Sequence, residues 1–297
     1  MKLYAPEYYK DFACIADKCR HSCCIGWEID VDGGTVKMYE SLKGEYAAAI
    51  RESIEPGEPP HFRLSEGDRC PHLNKDGLCR IILAYGEDAL CDICREHPRF
   101  YNDTPHGREV GLGMSCEEAC RLILSSDGYA NIIEIGDTDG ECADGFDPLP
   151  FRTALYAILA DRTVPYPDRL EKIGAAHGVS LSVHTDAEWR ETLASLEYLD
   201  DAHRAQFQTY SSDPATPEEI EKPLERALAY FICRHCTGAD SSEEFRAALG
   251  LSLFLERLLA SLAKETPERL AEHARIVSEE IEYCEDNTDE LKYAFWF

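Results

Sequence analysis

Four thiols crowd into the eleven residues Cys14–Cys24, CIADKCRHSCC, at the spacing C-x4-C-x3-C-C. A hydrophobic core gains nothing from such density. The thiolate is both a metal ligand and a nucleophile, so this run points to a metal site or to redox chemistry. Cys70, Cys79, Cys91, Cys94, Cys116 and Cys120 follow, which puts ten of the fourteen cysteines before residue 121. Cys91 and Cys94 form a C-x2-C pair that one helical turn can present on one face. The adjacent Cys23 and Cys24 cannot easily both bind one tetrahedral ion, and the two-pair spacing of a zinc finger is absent. Four thiolates suit zinc and a [4Fe–4S] cluster alike.

Cys91 and Cys120 each neighbour a better-spaced thiol and are optional in such a set. Cys142, Cys233, Cys236 and Cys284 lie beyond the cluster. Cysteines on helices are commonly small buried hydrophobes, and the flanks of Cys233-x2-Cys236 read as an ordinary core helix. His21, His72 and His97 stand among the thiols, where a histidine more often orients a ligand than binds the metal.

The chain has 297 residues, 44% of them hydrophobic and 10% aromatic, enough for a large buried core. Its opening, MKLYAPEYYKDF, has no apolar stretch of a secretion signal, so a cytoplasmic location is expected, where thiols stay reduced. The formal net charge is −27; residues 1–125 carry 15 Lys and Arg against 22 Asp and Glu, and residues 126–297 carry 15 against 35. That acidity disfavours nucleic acid and anionic membranes as partners and favours a basic protein segment. A solvated acidic helical surface is the simpler explanation of it.

Positioning the thiols falls to short elements. Gly26–Asp32 alternates apolar and acidic residues and reads as a short strand or extended segment ending in a turn at Gly33-Gly34, 36–54 as a helix, and Glu55–Pro60 as its breaker. Asn74–Gly77 reads as a tight turn, followed by helical stretches at 79–85, 88–94 and 116–124, with a strand over Arg108–Ser115. Residues 126–148 are rich in Gly and Asp, with a short strand at Ile132–Ile135, and read as a connector. Helices are expected over 149–162, 166–175, 186–210, 217–236, 241–263, 266–286 and 288–296. The predicted fold is mainly α: a cysteine-rich metal-binding module with short strands over 1–125, the connector, and an acidic helical bundle over 149–297.

Several of these residues form a known pattern. Tyr9-x2-Phe12-x-Cys14-Ile15, Cys19, Cys23-Cys24 and Gly26-Trp27 resemble the start of the flagellin lysine-N-methylase family. Cys70-Pro71-x-Leu73-Asn74, Gly77-Leu78-Cys79-x-Ile81, Cys94-Arg95-x2-Pro98-Arg99-Phe100 and Ser115-Cys116-x-Glu118-Ala119 continue the likeness. Glu279–Glu282 followed by Asn287 is similar to that family's acidic C-terminal helix. The likeness is dense over residues 9–122 and loose from 150 to 270. The cysteine skeleton also resembles small bacterial proteins described as zinc- or iron-chelating domains.

The resemblance implies metal ligation by a subset of Cys14, Cys19, Cys23, Cys24, Cys70, Cys79, Cys94 and Cys116. It also implies a [4Fe–4S] cluster (alternatively zinc), S-adenosylmethionine as methyl donor, and flagellin or another lysine-rich protein as acceptor. Arg95 and Arg99, with Arg20, are candidates to neutralise thiolates or to grip a cofactor carboxylate, and equally to pair with surface acids. The radical S-adenosylmethionine spacing fails, because Gly26 stands where a third cysteine would follow Cys19 and Cys23. Gly33-Gly34 and Gly111-Leu112-Gly113 are weak echoes of a glycine-rich cofactor loop, without its alternating strands and helices. Methylating lysine requires a neutral amine, and Tyr4, Tyr8, Tyr9, Tyr85, Tyr101, Glu28 and Glu109 are the candidate proton acceptors or positioning groups. The alternatives are a non-catalytic metal-stabilised scaffold with an acidic docking surface, and an iron-binding electron carrier.

Overall fold

A computed structural model describes residues 1–296. About 52% of the chain is helical, beside six short strands, so the fold is mainly α. The strands are β1 (Lys2–Pro6), β2 (Ile54–Glu55), β3 (His61–Phe62), β4 (Arg99–Thr104), β5 (Gly107–Leu112) and β6 (Ile132–Asp137). The chain divides into two compact units, one formed by Met1–Phe12 with Arg99–Phe297, the other by Ala13–Pro98.

This division differs from the boundary expected at 126–148. β6 pairs antiparallel with β1, so the Gly- and Asp-rich stretch closes a sheet of order β4-β5-β1-β6 instead of linking two domains. β1 runs parallel to β5, and β4 and β5 form a hairpin from Arg99↔Leu112 to Thr104↔Gly107. The first twelve residues thereby join the larger unit.

That unit is built around the helix Ser242–Ala263, buried along nearly its whole length. A helix buried on every face belongs inside a bundle, and its Glu256 and Arg257 pair with each other there. The helix Glu218–Cys236 packs along it, and Leu149–Ala160 and Tyr166–Ala176 lie close to their predicted bounds. The stretch predicted as one helix over 186–210 is two, Asp186–Ser195 and Asp201–Phe207. Glu280 explains the break. Its buried carboxylate accepts the backbone N–H of Leu199 and Asp200 and meets His203 Nδ1 at 2.5 Å. Asn287 accepts from the Glu197 N–H and donates to the Glu197 and Glu280 carbonyls.

The smaller unit has its own core of Ile29, Val31, Tyr39, Ile50, Phe62, Ile81, Cys70 and Cys91, with Cys24, Cys79 and Cys94 packed against it. The helix expected over 36–54 breaks into Gly33–Ser41 and Ala47–Glu52, with Gly44 between them at φ +119°, a conformation that glycine tolerates best. Residues 26–32 form an extended segment and not a regular strand, with one bridge at Asp30↔His61 and backbone hydrogen bonds from the Gly26 and Val31 N–H groups to the Asp68 and Pro60 carbonyls. Among the described residues no helix is long and apolar enough to cross a membrane.

Two tests follow from the larger unit's buried charges. Arg152 is fully buried and donates to Glu109 Oε1 at 2.5 Å and to Thr237. Arg152→Ala leaves Glu109 buried with only His106, and should lower stability in urea unfolding by about 3–5 kcal/mol. His203 is held above its ordinary value of 6.5, chiefly by its hydrogen bond to Glu280. Its contribution is therefore complete below the unfolded value and is lost as pH rises through the folded one. His203→Gln should flatten the fall in unfolding free energy measured above neutral pH.

Candidate functional site

In the smaller unit, the thiols sort into two groups. Cys24, Cys70, Cys79, Cys91 and Cys94 belong to one core cluster, while Cys14 and Cys23 are exposed and Cys19 donates to the His21 carbonyl at 3.1 Å. Local structure brings the five together. The Cys70 N–H donates to the Cys24 carbonyl at 2.8 Å, tying the two segments. Asn74 Oδ1 accepts from the N–H groups of Asp76 and Leu78, closing the predicted turn, and Leu73 bridges to Cys79 at the start of the helix Arg80–Tyr85. Asp32 caps the helix Gly33–Ser41 through Oδ1 and receives the Asp92 N–H at Oδ2, which anchors the short helix carrying Cys94.

Electrostatics shows how tightly these thiols are grouped. A hydrogen bond from Cys23 brings Cys24 down to about 7 against its burial, with help from Ser22 and Arg69. Burial lifts Cys70 to about 12, and the charges of Cys24 and Cys79 add to that. Cys91 and Cys94 share one hydrogen bond, which lowers Cys91 and drives Cys94 far above the thiol range. A set in which each thiolate resists the next favours one bound cation. The donor chemistry thus suits a thiolate-bound metal. Among the described residues, however, no three His, Cys, Asp or Glu side chains are arranged to hold an ion.

The remaining expected residues are scattered. Cys116 lies in the larger unit, where it immediately precedes the helix Glu117–Ser125 without a side-chain capping bond and packs on that unit's core. Cys91, ranked as optional, belongs to the thiol group; its C-x2-C spacing was the signal. Cys120, Cys233 and Cys236 are buried in the larger unit and raised to about 12, 11 and 12 by burial. His72 is no ligand, because Tyr46 holds its Nδ1 at 2.7 Å and Ser53 its Nε2 at 2.9 Å. Arg95 pairs with Asp92 and donates to the Leu90 carbonyl. Arg99 donates to the Tyr9 hydroxyl at 2.9 Å and stands over the Phe12 ring.

Most candidate proton acceptors are engaged or enclosed. Glu109 is locked to Arg152 and His106, Glu28 is exposed 3.5 Å from His61, and burial pushes Tyr8 far above its ordinary range. Tyr4 meets the His106 ring at a tilt, with centroids 5.5 Å apart, and the buried Tyr85 hydroxyl finds no partner. Tyr101 is half exposed and lines a cavity of about 340 Å³ in the larger unit, shared with Phe100, Arg234, His235 and Glu282. The glycine echoes have other uses. Gly33 and Gly34 open a helix, and a Cβ on Gly111 or Gly113 would run into Phe100 or Tyr283. His235 and Glu282 were not singled out for chemistry. The signal was Arg234-His235, two polar residues following the apolar run Ala227–Cys233 of the same helix.

Alkylation mapped by peptide mass spectrometry on metal-free protein should modify Cys14, Cys23 and Cys142 first. Labelling of Cys24 should rise through about pH 7. Cys70 and Cys120, both held at about 12, should stay unmodified well above that.

No family model matches the chain, and no solved structure matches it. Proteins named Lysine-N-methylase from Salmonella choleraesuis and Salmonella typhimurium are each 29% identical to it over 127 residues. The match covers 40% of this chain and 32% of each relative, so the chain spans about a third of their length. A protein named Flagellar biosynthetic protein FliU from Salmonella muenchen is 28% identical over 127 residues, 75% of its own length. Over that stretch the chain is related to the flagellin lysine-N-methylase family.

Proposed function

We propose that this protein is a protein-lysine N-methyltransferase. The observation that carries the reading is its relation to two proteins named Lysine-N-methylase. The name of the third relative supports flagellin, or another lysine-rich protein, as the acceptor. The excess of 57 acidic over 30 basic residues supports a basic segment as the feature recognised.

The chemistry divides between what is bound and what the chain supplies. S-adenosylmethionine, as methyl donor, would bring an electrophilic methyl group on a sulfonium. The chain must orient a lysine amine and relieve it of its proton. Cys24, Cys70, Cys79 and Cys94, with Cys91, are the residues that would hold a [4Fe–4S] cluster or zinc. Their grouping in one core supports that assignment. Arg95 and Arg99 already have protein partners, so neither is assigned to the methyl donor.

Anaerobic purification followed by metal and acid-labile sulfide analysis tests the thiol assignment. About four irons and four sulfides per chain are expected for a cluster, and Cys24→Ser or Cys79→Ser should abolish them while Cys142→Ser retains them. Stoichiometric zinc without sulfide would replace the cluster. Transfer of labelled methyl from S-adenosylmethionine to flagellin lysines, read by mass spectrometry, tests the activity. Metal-loaded protein that neither binds S-adenosylmethionine nor methylates lysine would establish the scaffold reading in its place.

A further inference from the structure

Part of the acidic C-terminal motif remains without a role. Glu279 pairs with Arg275, and Glu280 with Asn287 holds residues 197–203 in place. Glu282 does neither. It ends the π-helical turn Ser278–Glu282, a backbone irregularity that recurs at functional sites, and it lines the 340 Å³ cavity of the larger unit.

The floor of that cavity is a built network. Glu282 Oε2 accepts from the Tyr230 hydroxyl at 2.7 Å, and its Oε1 meets His235 Nε2 at 2.8 Å. Arg234 Nε stands 3.3 Å from the same oxygen, and its guanidinium lies between the rings of Phe100 and Tyr283 at 4.8 and 5.0 Å. The small Gly111 and Gly113 admit those two rings. Burial alone would raise Glu282, but the Arg234 charge and the His235 hydrogen bond hold it below the carboxylate range, so it is an anion. His235 is lowered, first by burial and then by the Arg234 and Lys292 charges, against the pull of Glu282.

His235 is therefore a neutral imidazole at neutral pH. Facing a carboxylate, Nε2 carries the proton, and Nδ1 keeps its lone pair. Nδ1 has no hydrogen-bond partner among the described residues. A carboxylate that fixes the tautomer of a histidine and stabilises its protonated form is the arrangement of a general base. Phe100 and Tyr101 supply aromatic wall, and Glu285 and Asp289 put carboxylates at the rim. Apolar walls leading to carboxylates suit an alkylammonium, by methylene burial, ring-face attraction and charge.

We propose that this cavity receives the side-chain amine of a lysine and that His235 is the group that accepts its proton. The proposal rests on the methyltransferase reading for its purpose and on the cavity for its chemistry. In the step, an N–H bond of the ammonium breaks and the proton binds the Nδ1 lone pair. The nitrogen keeps the electron pair and becomes a nucleophile, and Glu282 balances the new imidazolium. Arg234, Lys292, Glu285 and Asp289 are the other charges around the ring.

The test has two arms on the full-length protein. In the first, Nα-acetyl-lysine methylamide is titrated and followed by NMR. Saturable binding is expected, weakened at least tenfold for the norleucine analogue and in Glu285→Gln/Asp289→Asn. Equal binding of the uncharged analogue, or an unaffected double variant, would overturn the amine site. In the second, methyl transfer to flagellin is measured against pH for His235→Gln, whose amide retains a donor for Glu282. A loss of about 100-fold in kcat/KM at pH 7 is expected for removing a base. It should shrink toward the amine's own pKa of about 10.4, where solvent supplies the neutral form. A deficit equal at every pH would remove His235 as the base. Lysine binding by a wild-type protein that transfers no methyl group would sink the methyltransferase reading and leave the amine site standing.

Discussion

The larger unit depends on pairing carboxylates that an acidic chain has buried. Glu109, Glu225, Glu256, Glu280 and Glu282 all lie inside it, and each meets dedicated donors. Arg152 and His106 serve Glu109, while Arg162, Arg169 and the Tyr129 hydroxyl serve Glu225. Arg257 and Tyr166 serve Glu256. An unpaired carboxylate in such a core costs several kcal/mol, so these pairs dictate which helices can lie side by side. Tyr129–Glu225 and Arg152–Glu109 each link the sheet-bearing segments to the helices.

The same rule has a second consequence. Buried charge that is fully matched holds a structure together, whereas charge matched on one side and open on the other is available for work. Glu280 spends its oxygens on two backbone N–H groups and His203, and is structural. Glu282, two residues on, spends its oxygens on a tyrosine, an arginine and a histidine that border a cavity. Two residues apart on one helical turn, the two glutamates face opposite sides and so take different tasks.

The smaller unit is governed by the opposite problem, too many potential anions in one place. Cys24 is stabilised as a thiolate; burial raises Cys70 and Cys79, the Cys91 hydrogen bond raises Cys94, and the Cys24 charge adds to all three. Metal-free, such a core keeps most of its thiols protonated. A cation among them reverses the preference of every member at once, so metal affinity in this unit should be coupled to proton release.

Sequence alone determined the mainly helical class, because apolar periodicity and proline placement act locally. The helices Leu149–Ala160, Tyr166–Ala176, Glu218–Cys236 and Ser242–Ala263 lie within two residues of their predicted ends. The turn at Asn74–Gly77 was equally legible, since an Asx side chain and a glycine impose it on their own. Tertiary structure decided the rest. It paired Lys2–Pro6 with Ile132–Asp137 in one sheet, since strand pairing is a contact between distant segments. Glu280, eighty residues away, broke the helix predicted over 186–210. Packing gathered Cys24, Cys70, Cys79, Cys91 and Cys94 at one core and left Cys14 and Cys23 exposed, which spacing alone cannot do. It also made a histidine in a plain-looking core helix face a buried carboxylate. Local patterns specify elements; which side chains share a low-dielectric space is settled only when the elements meet.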